Sequence, residues 1–293
     1  MSAQCGSTSP YVTPAKAGVH ERTMGEWVPA FAGMTERARC GMDKEKQVSK
    51  RVAAIICAAG PGTRFGGKRK KQFVEVAGRP VFLRSIELFS DRDDVKQILL
   101  GIAKEDEETV KITWGAKLSF FHVKTFVGGQ ERFDTIRKAL ELLKDDIELV
   151  AVHDACRCCA TAQLVTNILA KAAETGAAIP AAPVTATIKQ VKDGTIIRTV
   201  DRSDLYEAQT PQIFETALLK KAYANLDKLD KAAVTDDAFL VEALGRKVAI
   251  VESDSSNLKI TRPGDIAIAE AILRSRPKPL PAGPINPFAE AEW

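Results

Sequence analysis

The sequence predicts an α/β fold in which a mostly parallel, twisted sheet is covered by helices on both faces. From residue 51 onward, short apolar runs typical of buried strands alternate with segments whose apolar residues recur at helical spacing. The chain has 293 residues, 45% of them hydrophobic and 27% charged, which is enough for one large α/β domain or two small ones. A single predicted β-hairpin interrupts the alternation.

Six apolar runs are predicted as strands, at residues 52–58, 95–102, 120–126, 148–154, 177–184 and 247–253. In the fifth run, Pro180 and Pro183 favour an edge strand or a strand end, because proline has no N–H to donate. Helices are predicted where apolar residues recur every three or four positions, as at Phe82, Ile86 and Phe89, at Phe133, Ile136, Leu140 and Leu143, at Leu164, Ile168 and Ala172, and at 266–274. Ligands of such sheets bind beyond the carboxyl ends of the strands.

Residues 188–200 form the predicted hairpin. Two β-rich arms flank Asp193-Gly194, a strong signal for a two-residue hairpin turn. The hairpin is either a protruding arm or a small surface flap. The domain itself is expected to span 42–276. Residues 1–41 lack periodicity and are expected to be a disordered or non-native extension, and 277–293 a proline-rich tail.

Composition limits the classes of function. The net charge of +4 suits an anionic substrate but is too small to indicate nucleic-acid binding. No run approaches the roughly 18 apolar residues of a membrane span. Six cysteines without an export signal indicate reduced thiols, and hence a cytoplasmic protein, rather than a disulfide scaffold.

A glycine-rich loop, AAGPGTRFGGKRKKQF (58–73), follows the first strand directly. It fails the dinucleotide fingerprint, because Phe65 stands where the third glycine belongs, and it fails the P-loop pattern at Arg69. Small residues still allow backbone N–H groups to approach phosphate. Arg64 and Lys71 could converge on a triphosphate. The alternatives are a solvated basic turn and a nucleic-acid or nuclear-localisation patch.

Further segments give this loop a context. They are GGQERFDT (128–135), VHDACR (152–157), APVTATIK (182–189), TVDRSDLYEAQTPQIF (199–214), VTDDA (234–238) and NLKITRPGD (257–265). Together with the loop, these seven motifs resemble, in order, those of the 2-C-methyl-D-erythritol 4-phosphate cytidylyltransferase family of the non-mevalonate isoprenoid pathway. The resemblance covers residues 52–273. It implies a Rossmann-like nucleotidyltransferase fold and transfer of CMP from CTP to that polyol phosphate, with release of pyrophosphate.

The resemblance also implies roles for individual residues. The cytosine would be read by Ala58, Ala59, Gly129 and Thr135, and the ribose held by Gly60, Asp154 and Ala155. Gly62 belongs to the same nucleotide loop. Arg64 and Lys71 would bind the triphosphate together with Mg²⁺ or another divalent cation. The acceptor phosphate would be surrounded by Arg157, Thr187, Arg202, Thr210 and Lys259. The hairpin would form a homodimer, in which Thr187 and Arg202 reach the neighbouring subunit's site.

The chemistry implied here needs cations rather than a general base, because the attacking phosphate oxygen is already ionised at neutral pH. Arg64, Lys71 and Lys259 are therefore the predicted catalytic residues. Asp154 is a candidate for the ribose or for Mg²⁺, and the alternative is a helix cap or a salt bridge to Arg157.

The chain departs from the family pattern in three places. Cys57 and Lys70 stand where prolines are usual, and HDACRCC carries Cys156, Cys158 and Cys159. These thiols are interpreted as small, polarizable side chains that fill alanine- and proline-sized space. The alternative is a zinc site with His153, but the spacing H-x₂-C-x-C-C lacks the paired C-x₂-C of structural zinc sites. Two other functions stay open: transfer to another polyol phosphate such as ribitol 5-phosphate, and a catalytically weakened nucleotide-binding protein.

Overall fold

The computed structural model describes residues 50–60, 62, 65 and 70–276. The predictions for 1–41, for 277–293, for the domain boundary at residue 42 and for Arg64 therefore lie outside the described residues.

Strands and helices follow the predicted alternation. The strands are β1 Val52–Ala58, β2 Glu75–Val76, β3 Arg79–Pro80, β4 Val95–Ile102, β5 Val123–Val127, β6 Leu149–Asp154, β7 Ala177–Pro183, β8 Ile188–Lys192, β9 Thr195–Val200, β10 Tyr206–Ala208, β11 Gln212–Glu215 and β12 Ala249–Glu252. The α-helices are α1 Val81–Ser90, α2 Glu107–Phe120, α3 Arg132–Glu141, α4 Ala162–Thr175, α5 Thr216–Ala224, α6 Asp237–Glu242 and α7 Asp265–Ser275. Short 3₁₀ turns include Lys71–Phe73 and Lys104–Asp106.

The main sheet has eight strands in the order β10-β7-β11-β6-β1-β4-β5, with β12 also paired to β7. Strands β6, β1, β4 and β5 are mutually parallel, as are β7 and β12. Strands β10 and β11 run antiparallel to their neighbours. The predicted mostly parallel sheet is thus confirmed, and the carboxyl ends of β1, β4, β5 and β6 lie at one edge.

Strand β1 shows why helices cover both faces. It lies between β4 and β6, and its side chains alternate between two buried clusters. Val52, Ala54 and Ile56 pack with α1, α2 and α4, whereas Ala53 and Ile55 pack with α3, α5 and α6. An apolar run of this kind is needed only where neither face of a strand meets water.

The expected edge position of the fifth predicted strand is wrong. β7 is paired on both sides, although it contains Pro180. Pro180 faces the gap between β10 and β11: β10 pairs with β7 from residue 181 onward, and β11 pairs only with Ala177 and Ala178. The Pro180 carbonyl accepts from the Gln209 N–H at 2.9 Å, so the missing proline N–H interrupts no strand pairing there. Pro183 does stand at the strand end, as predicted.

The predicted strand at 120–126 begins too early. Phe120 is the last residue of α2, and the strand starts at Val123 after a turn in which His122 has φ 52°. Val110, Trp114 and Leu118 recur every four residues and carry the helix through Phe120, while Phe120 itself is 78% exposed. The helical spacing of these apolar residues therefore extends α2 into a segment for which composition alone predicted a strand.

The predicted hairpin is confirmed as β8 and β9, which form a two-stranded sheet of their own. Asp193 and Gly194 have φ of 49° and 75°, the positive values that a type I′ turn requires. Both strands are largely exposed. In the part of the chain that the structure describes, no helix has the length and apolar character needed to cross a bilayer.

Candidate active site

A cleft of about 400 Å³ opens at the carboxyl ends of β1, β5 and β6. Segments from five regions of the sequence line it: Cys57, Ala58, Ala59, Gly60, Gly62, Phe65, Lys71, Gln72, Gly129, Gln130, Glu131, Arg132, Thr135, Asp154, Cys156, Thr235 and Lys259. Nine of the predicted site residues are in this set, namely Ala58, Ala59, Gly60, Gly62, Lys71, Gly129, Thr135, Asp154 and Lys259.

Gln72 closes the base of the glycine-rich loop. Its side chain is buried, and its Nε2 donates to the Ala58 carbonyl at 2.9 Å and to the Gly60 carbonyl at 3.3 Å. A buried amide with these two partners fixes the residues after β1 against the turn that carries Lys71. Both ends of the loop therefore face the same cleft.

The loop after β5 packs directly on the loop after β1. A Cβ atom on Gly128 would lie 2.5 Å from the Cβ of Ala59, so any side chain at this position would push the two loops apart. The Thr135 hydroxyl accepts from the Gly129 N–H at 3.0 Å. Ala59, Gly129 and Thr135, which the resemblance assigns to the cytosine, are thus brought together at one wall.

Asp154 lies between two cations at the end of β6. Its Oδ1 accepts from Arg132 Nε at 3.0 Å, and its Oδ2 is 2.6 Å from Lys259 Nζ. Burial alone would raise the pKa of Asp154, but Arg132 and Lys259 outweigh it and hold the pKa well below its ordinary value. The carboxylate is therefore ionised, and its ion-pair partners are Arg132 and Lys259 rather than Arg157.

Arg132 continues this chain of charges into the core. Its Nη1 lies 2.8 Å from Oδ2 of Asp237, which is fully buried at the start of α6. The other Asp237 oxygen accepts from the Tyr223 hydroxyl at 2.6 Å, and the Asp237 N–H donates to Gln212 Oε1 at 3.1 Å. The guanidinium thus joins the cleft to a buried polar network behind it.

The charges of this pair depend on each other. Burial alone would lower the pKa of Arg132, but Asp237 and Asp154 outweigh it and raise that pKa well above its ordinary value. Burial raises the pKa of Asp237 more than Arg132 lowers it. Removal of Arg132 would therefore leave the fully buried carboxyl group of Asp237 without its cation.

Thr210 and His153 lie beneath the cleft rather than on its surface. The Thr210 hydroxyl accepts from the Asp154 N–H at 3.1 Å and lies 3.1 Å from His153 Nδ1. His153 is fully buried against Phe89, and burial lowers its pKa to about 4, so the imidazole is neutral at pH 7. Thr210 thus holds the backbone of Asp154.

The other predicted site residues that the structure describes do not line the cleft. Ala155 is buried, and its carbonyl accepts from Ser85 at 2.9 Å. Arg157 donates to the Asn257 carbonyl at 2.7 Å and to the Ala208 carbonyl at 3.3 Å. Thr187 and Arg202 are exposed beside the hairpin, where the Arg202 guanidinium donates to the Thr185 carbonyl.

The unusual cysteines fill apolar space. Cys156, Cys158 and Cys159 are buried in a cluster with Phe65, Val76, Val81, Ile260 and Ala269. Burial raises the pKa of Cys57 to about 12 and of Cys156 to about 11, so both thiols that line the cleft are protonated at neutral pH. Within 50–60, 62, 65 and 70–276, no three His, Cys, Asp or Glu side chains are grouped to hold a metal ion.

Comparison with known proteins assigns this arrangement to a family. The family model described as 2-C-methyl-D-erythritol 4-phosphate cytidylyltransferase matches residues 52–275. The chain belongs to this family.

Curated relatives match the sequence of this chain along nearly their whole length. A 2-C-methyl-D-erythritol 4-phosphate cytidylyltransferase of Endomicrobium trichonymphae is 43% identical over 224 residues, which cover 76% of this chain and 99% of the relative. One from Rhodopirellula baltica is 40% identical over 235 residues, covering 76% of this chain and 94% of the relative.

Solved structures agree as well. The 4-diphosphocytidyl-2C-methyl-D-erythritol synthase of Anaerococcus prevotii has a TM-score of 0.67 at 30% identity, over 78% of this chain and 98% of its own. The cytidylyltransferase of Thermus thermophilus has a TM-score of 0.63 at 31% identity, over 76% of this chain and 99% of its own. The Rossmann-like nucleotidyltransferase fold expected for the family is confirmed.

Sequence reasoning missed three residues that organise the cleft. Gln72 lies within the glycine-rich loop (58–73), Arg132 within GGQERFDT and Asp237 within VTDDA. All three residues lie within motifs that resemble those of the family, and this position is the signal by which the sequence could have indicated them. Their roles depend on partners 14, 22 and 14 positions away in the chain, which are Ala58, Asp154 and Tyr223.

The Arg132–Asp237 pair gives a stability prediction. Arg132→Met should lower the free energy of unfolding by about 3–5 kcal/mol, because it leaves Asp237 buried without its cation. Adding Asp237→Asn should recover most of this loss, since the amide carries no charge and can still accept from Tyr223. Chemical denaturation at pH 7 measures both differences.

Arg274→Met is the matched control. Its ion pair with Glu270, at 3.3 Å, is on the surface of α7, so its removal should change the free energy of unfolding by less than about 1 kcal/mol. A double variant that is as unstable as Arg132→Met alone would contradict the ion-pair explanation.

Proposed function

We propose that this chain transfers CMP from CTP to 2-C-methyl-D-erythritol 4-phosphate and releases pyrophosphate. The observation that supports this most directly is the convergence of Lys71, Asp154 and Lys259, from distant parts of the sequence, on one cleft beside a loop of small residues. Membership of the family supports the same reaction.

The wall formed by Ala58, Ala59 and Gly129 suits a pyrimidine base. Alanine and glycine leave the backbone accessible, and backbone N–H and C=O groups can pair with the edge of cytosine. The Gly129 N–H already donates to Thr135 and the Ala58 carbonyl accepts from Gln72, so the Gly129 carbonyl and the backbone of Ala59 remain for the base. A narrow pocket of this kind would exclude purines by size.

The cations of the cleft suit the chemistry. The acceptor phosphate oxygen attacks the α-phosphorus of CTP, the bond from that phosphorus to the bridging oxygen breaks, and the electron pair leaves with pyrophosphate. The nucleophile needs no general base, so the protein has to hold two anions together and stabilise the added negative charge. Lys71 and Lys259 supply that charge, with Arg64 as the third predicted cation.

Magnesium fits this site as an ion held mainly by the substrate. Of the described residues that line the cleft, only Glu131 and Asp154 carry carboxylates, and both oxygens of Asp154 already have cationic partners. Most oxygen ligands of a bound Mg²⁺ would therefore come from the triphosphate, with Asp154 as the candidate protein ligand. The ion would neutralise phosphate charge.

The unpaired state of Cys57, Cys156, Cys158 and Cys159 supports a cytoplasmic location.

Pyrophosphate release tests the proposed function. The purified protein with CTP and Mg²⁺ should release pyrophosphate with 2-C-methyl-D-erythritol 4-phosphate, at a kcat/KM at least tenfold above that with ribitol 5-phosphate. UTP and ATP in place of CTP are the base controls. Equal use of ribitol 5-phosphate would change the assigned acceptor, and CTP binding without turnover would contradict the enzymatic assignment.

Lys71 and Lys259 are expected to act on turnover. Lys71→Ala or Lys259→Ala should each lower kcat by about 10²–10³, because each removes a charge that stabilises the transition state. Lys220→Ala, at an exposed position on α5, should leave kcat unchanged. Melting temperatures should show that all three variants fold. Turnover within threefold of wild type in both active-site variants would refute their assigned role.

The hairpin is proposed to form a homodimer. Val191 and Ile196 lie opposite each other in the β8–β9 ladder, and with Ile197 they are more than half exposed. Contiguous exposed apolar side chains of this kind mark interaction surfaces. In such a dimer, Thr187 and Arg202, at the base of the hairpin, would reach the acceptor side of the partner's cleft.

The oligomeric state checks this proposal. Ile196→Asp should convert the dimer into a monomer in analytical ultracentrifugation, because it places a charge in an apolar contact. Ile112→Asp changes an even more exposed apolar residue, on α2, and should leave the dimer intact. The proposed arm would be wrong if wild type were monomeric at 50 μM, or if Ile196→Asp stayed dimeric.

A further inference from the structure

Lys70 makes two ion pairs directly beside the catalytic Lys71. Its Nζ lies 2.7 Å from Glu105 Oε1 and 2.7 Å from Asp106 Oδ2. Both carboxylates belong to the 3₁₀ turn Lys104–Asp106, which follows β4 and leads into α2. The side chains of Lys70 and Asp106 are 24% and 13% exposed, so the pair with Asp106 is partly shielded from water. We name these contacts the Lys70 clamp.

The backbone of Lys70 has a conformation that proline would impose. Its φ is −65° and its ψ is 141°, and the ring of proline fixes φ near −65° covalently. Lysine has no such restraint, and it stands at a position where the family pattern usually has proline. The Lys70 carbonyl also accepts from the Phe73 N–H at 3.0 Å, which closes the turn that contains Lys71.

The other contacts of this turn do not act on Lys70 itself. Gln72 holds the turn to the loop after β1, and Phe73 stacks on Trp114 of α2 with ring centroids 5.2 Å apart. Both residues follow Lys71 in the chain. Among the described residues, the Lys70 clamp is the contact that joins the chain immediately before Lys71 to the start of α2.

We propose that the Lys70 clamp takes the place of a covalent backbone restraint and holds Lys71 in position for the triphosphate of CTP. Lys70 is thus a positioning residue, and its role rests on the proposed function. The size of the effect follows from the exposure of the contacts. A partly exposed ion pair contributes up to about 1 kcal/mol, which corresponds to a fivefold effect on an equilibrium or rate constant.

Lys70 keeps its positive charge across the pH range of an assay. Burial alone would lower the pKa of Lys70, but its hydrogen bonds to Asp106 and Glu105 outweigh this and raise it. The same contact lowers the pKa of Glu105. Ionic strength rather than pH is therefore the variable that weakens the clamp.

Steady-state kinetics with Lys70→Met test the inference. Methionine keeps most of the length of the side chain and removes its charge. We expect kcat/KM for CTP to fall about fivefold in 20 mM KCl, with the KM for the acceptor unchanged and the melting temperature within about 2 °C of wild type. The ratio of wild type to variant should approach 1 in 0.5 M KCl, because salt screens the wild-type contacts.

Three further variants isolate the clamp. Lys70→Met with Asp106→Asn should be no worse than Lys70→Met alone, because the partner is already lost. Lys70→Pro should recover most of the lost kcat/KM with no extra salt dependence, since the ring fixes φ. Lys171→Met removes an exposed ion pair to Glu174 on α4 and should change nothing.

Hydrogen exchange of the Phe73 amide gives a readout that needs no turnover. Its protection should fall at least fivefold in Lys70→Met and return in Lys70→Pro. Wild-type kinetics within twofold of Lys70→Met at low salt, or unchanged protection of Phe73, would overturn the inference. A wild type that released no pyrophosphate would instead contradict the proposed function, and the exchange rates would then decide whether the clamp restrains the turn.

Discussion

The carboxylate of Asp154 is the constraint on which the cleft depends. It is largely buried at the end of β6, where an ion without partners would be strongly destabilising. Two cations from other segments compensate it, Arg132 at the start of α3 and Lys259 near the C-terminal end of the domain. A single negative charge thus gathers positive charge at the place where an anionic substrate would bind. Thr210 adds to this by accepting from the Asp154 N–H, which orients the end of the strand.

The buried polar network behind Asp154 connects the cleft to the helices on one face of the sheet. Arg132 contacts Asp154 on one side and Asp237 on the other, and Asp237 is held in turn by Tyr223 and Gln212. Arg132, Asp237 and Tyr223 come from α3, α6 and α5, which pack on one face of the sheet, and Gln212 comes from β11 within the sheet itself. Each side chain of this network contacts at least one other member, and a buried network of this kind can fix side-chain positions to within a narrow range. The cations at the surface of the cleft are therefore supported from within the core.

Much of this could be read from the sequence, and the reasons differ between elements. β1 and β6 were predictable because strands buried on both faces need uninterrupted apolar runs, and the hairpin because Asp193 and Gly194 suit positive φ. Nine of the predicted site residues line the cleft because the family motifs follow the ends of the strands. The strand predicted at 120–126 began too early because phenylalanine is a residue type common in strands. Phe120 is instead an exposed residue at the end of α2. Pro180 was misassigned because its missing N–H matters only if a neighbouring strand would need it.

By itself, the sequence determined the alternation of strands and helices and the hairpin turn. These features depend on local backbone preference and on the period of the apolar residues, which are properties of neighbouring positions. Only the tertiary structure decided that Arg132 rather than Arg157 pairs with Asp154, that Gln72 closes the loop, and that Lys70 contacts Glu105 and Asp106. The physical reason is that such contacts join groups far apart in the chain, and the order of the strands in the sheet sets the distances between them.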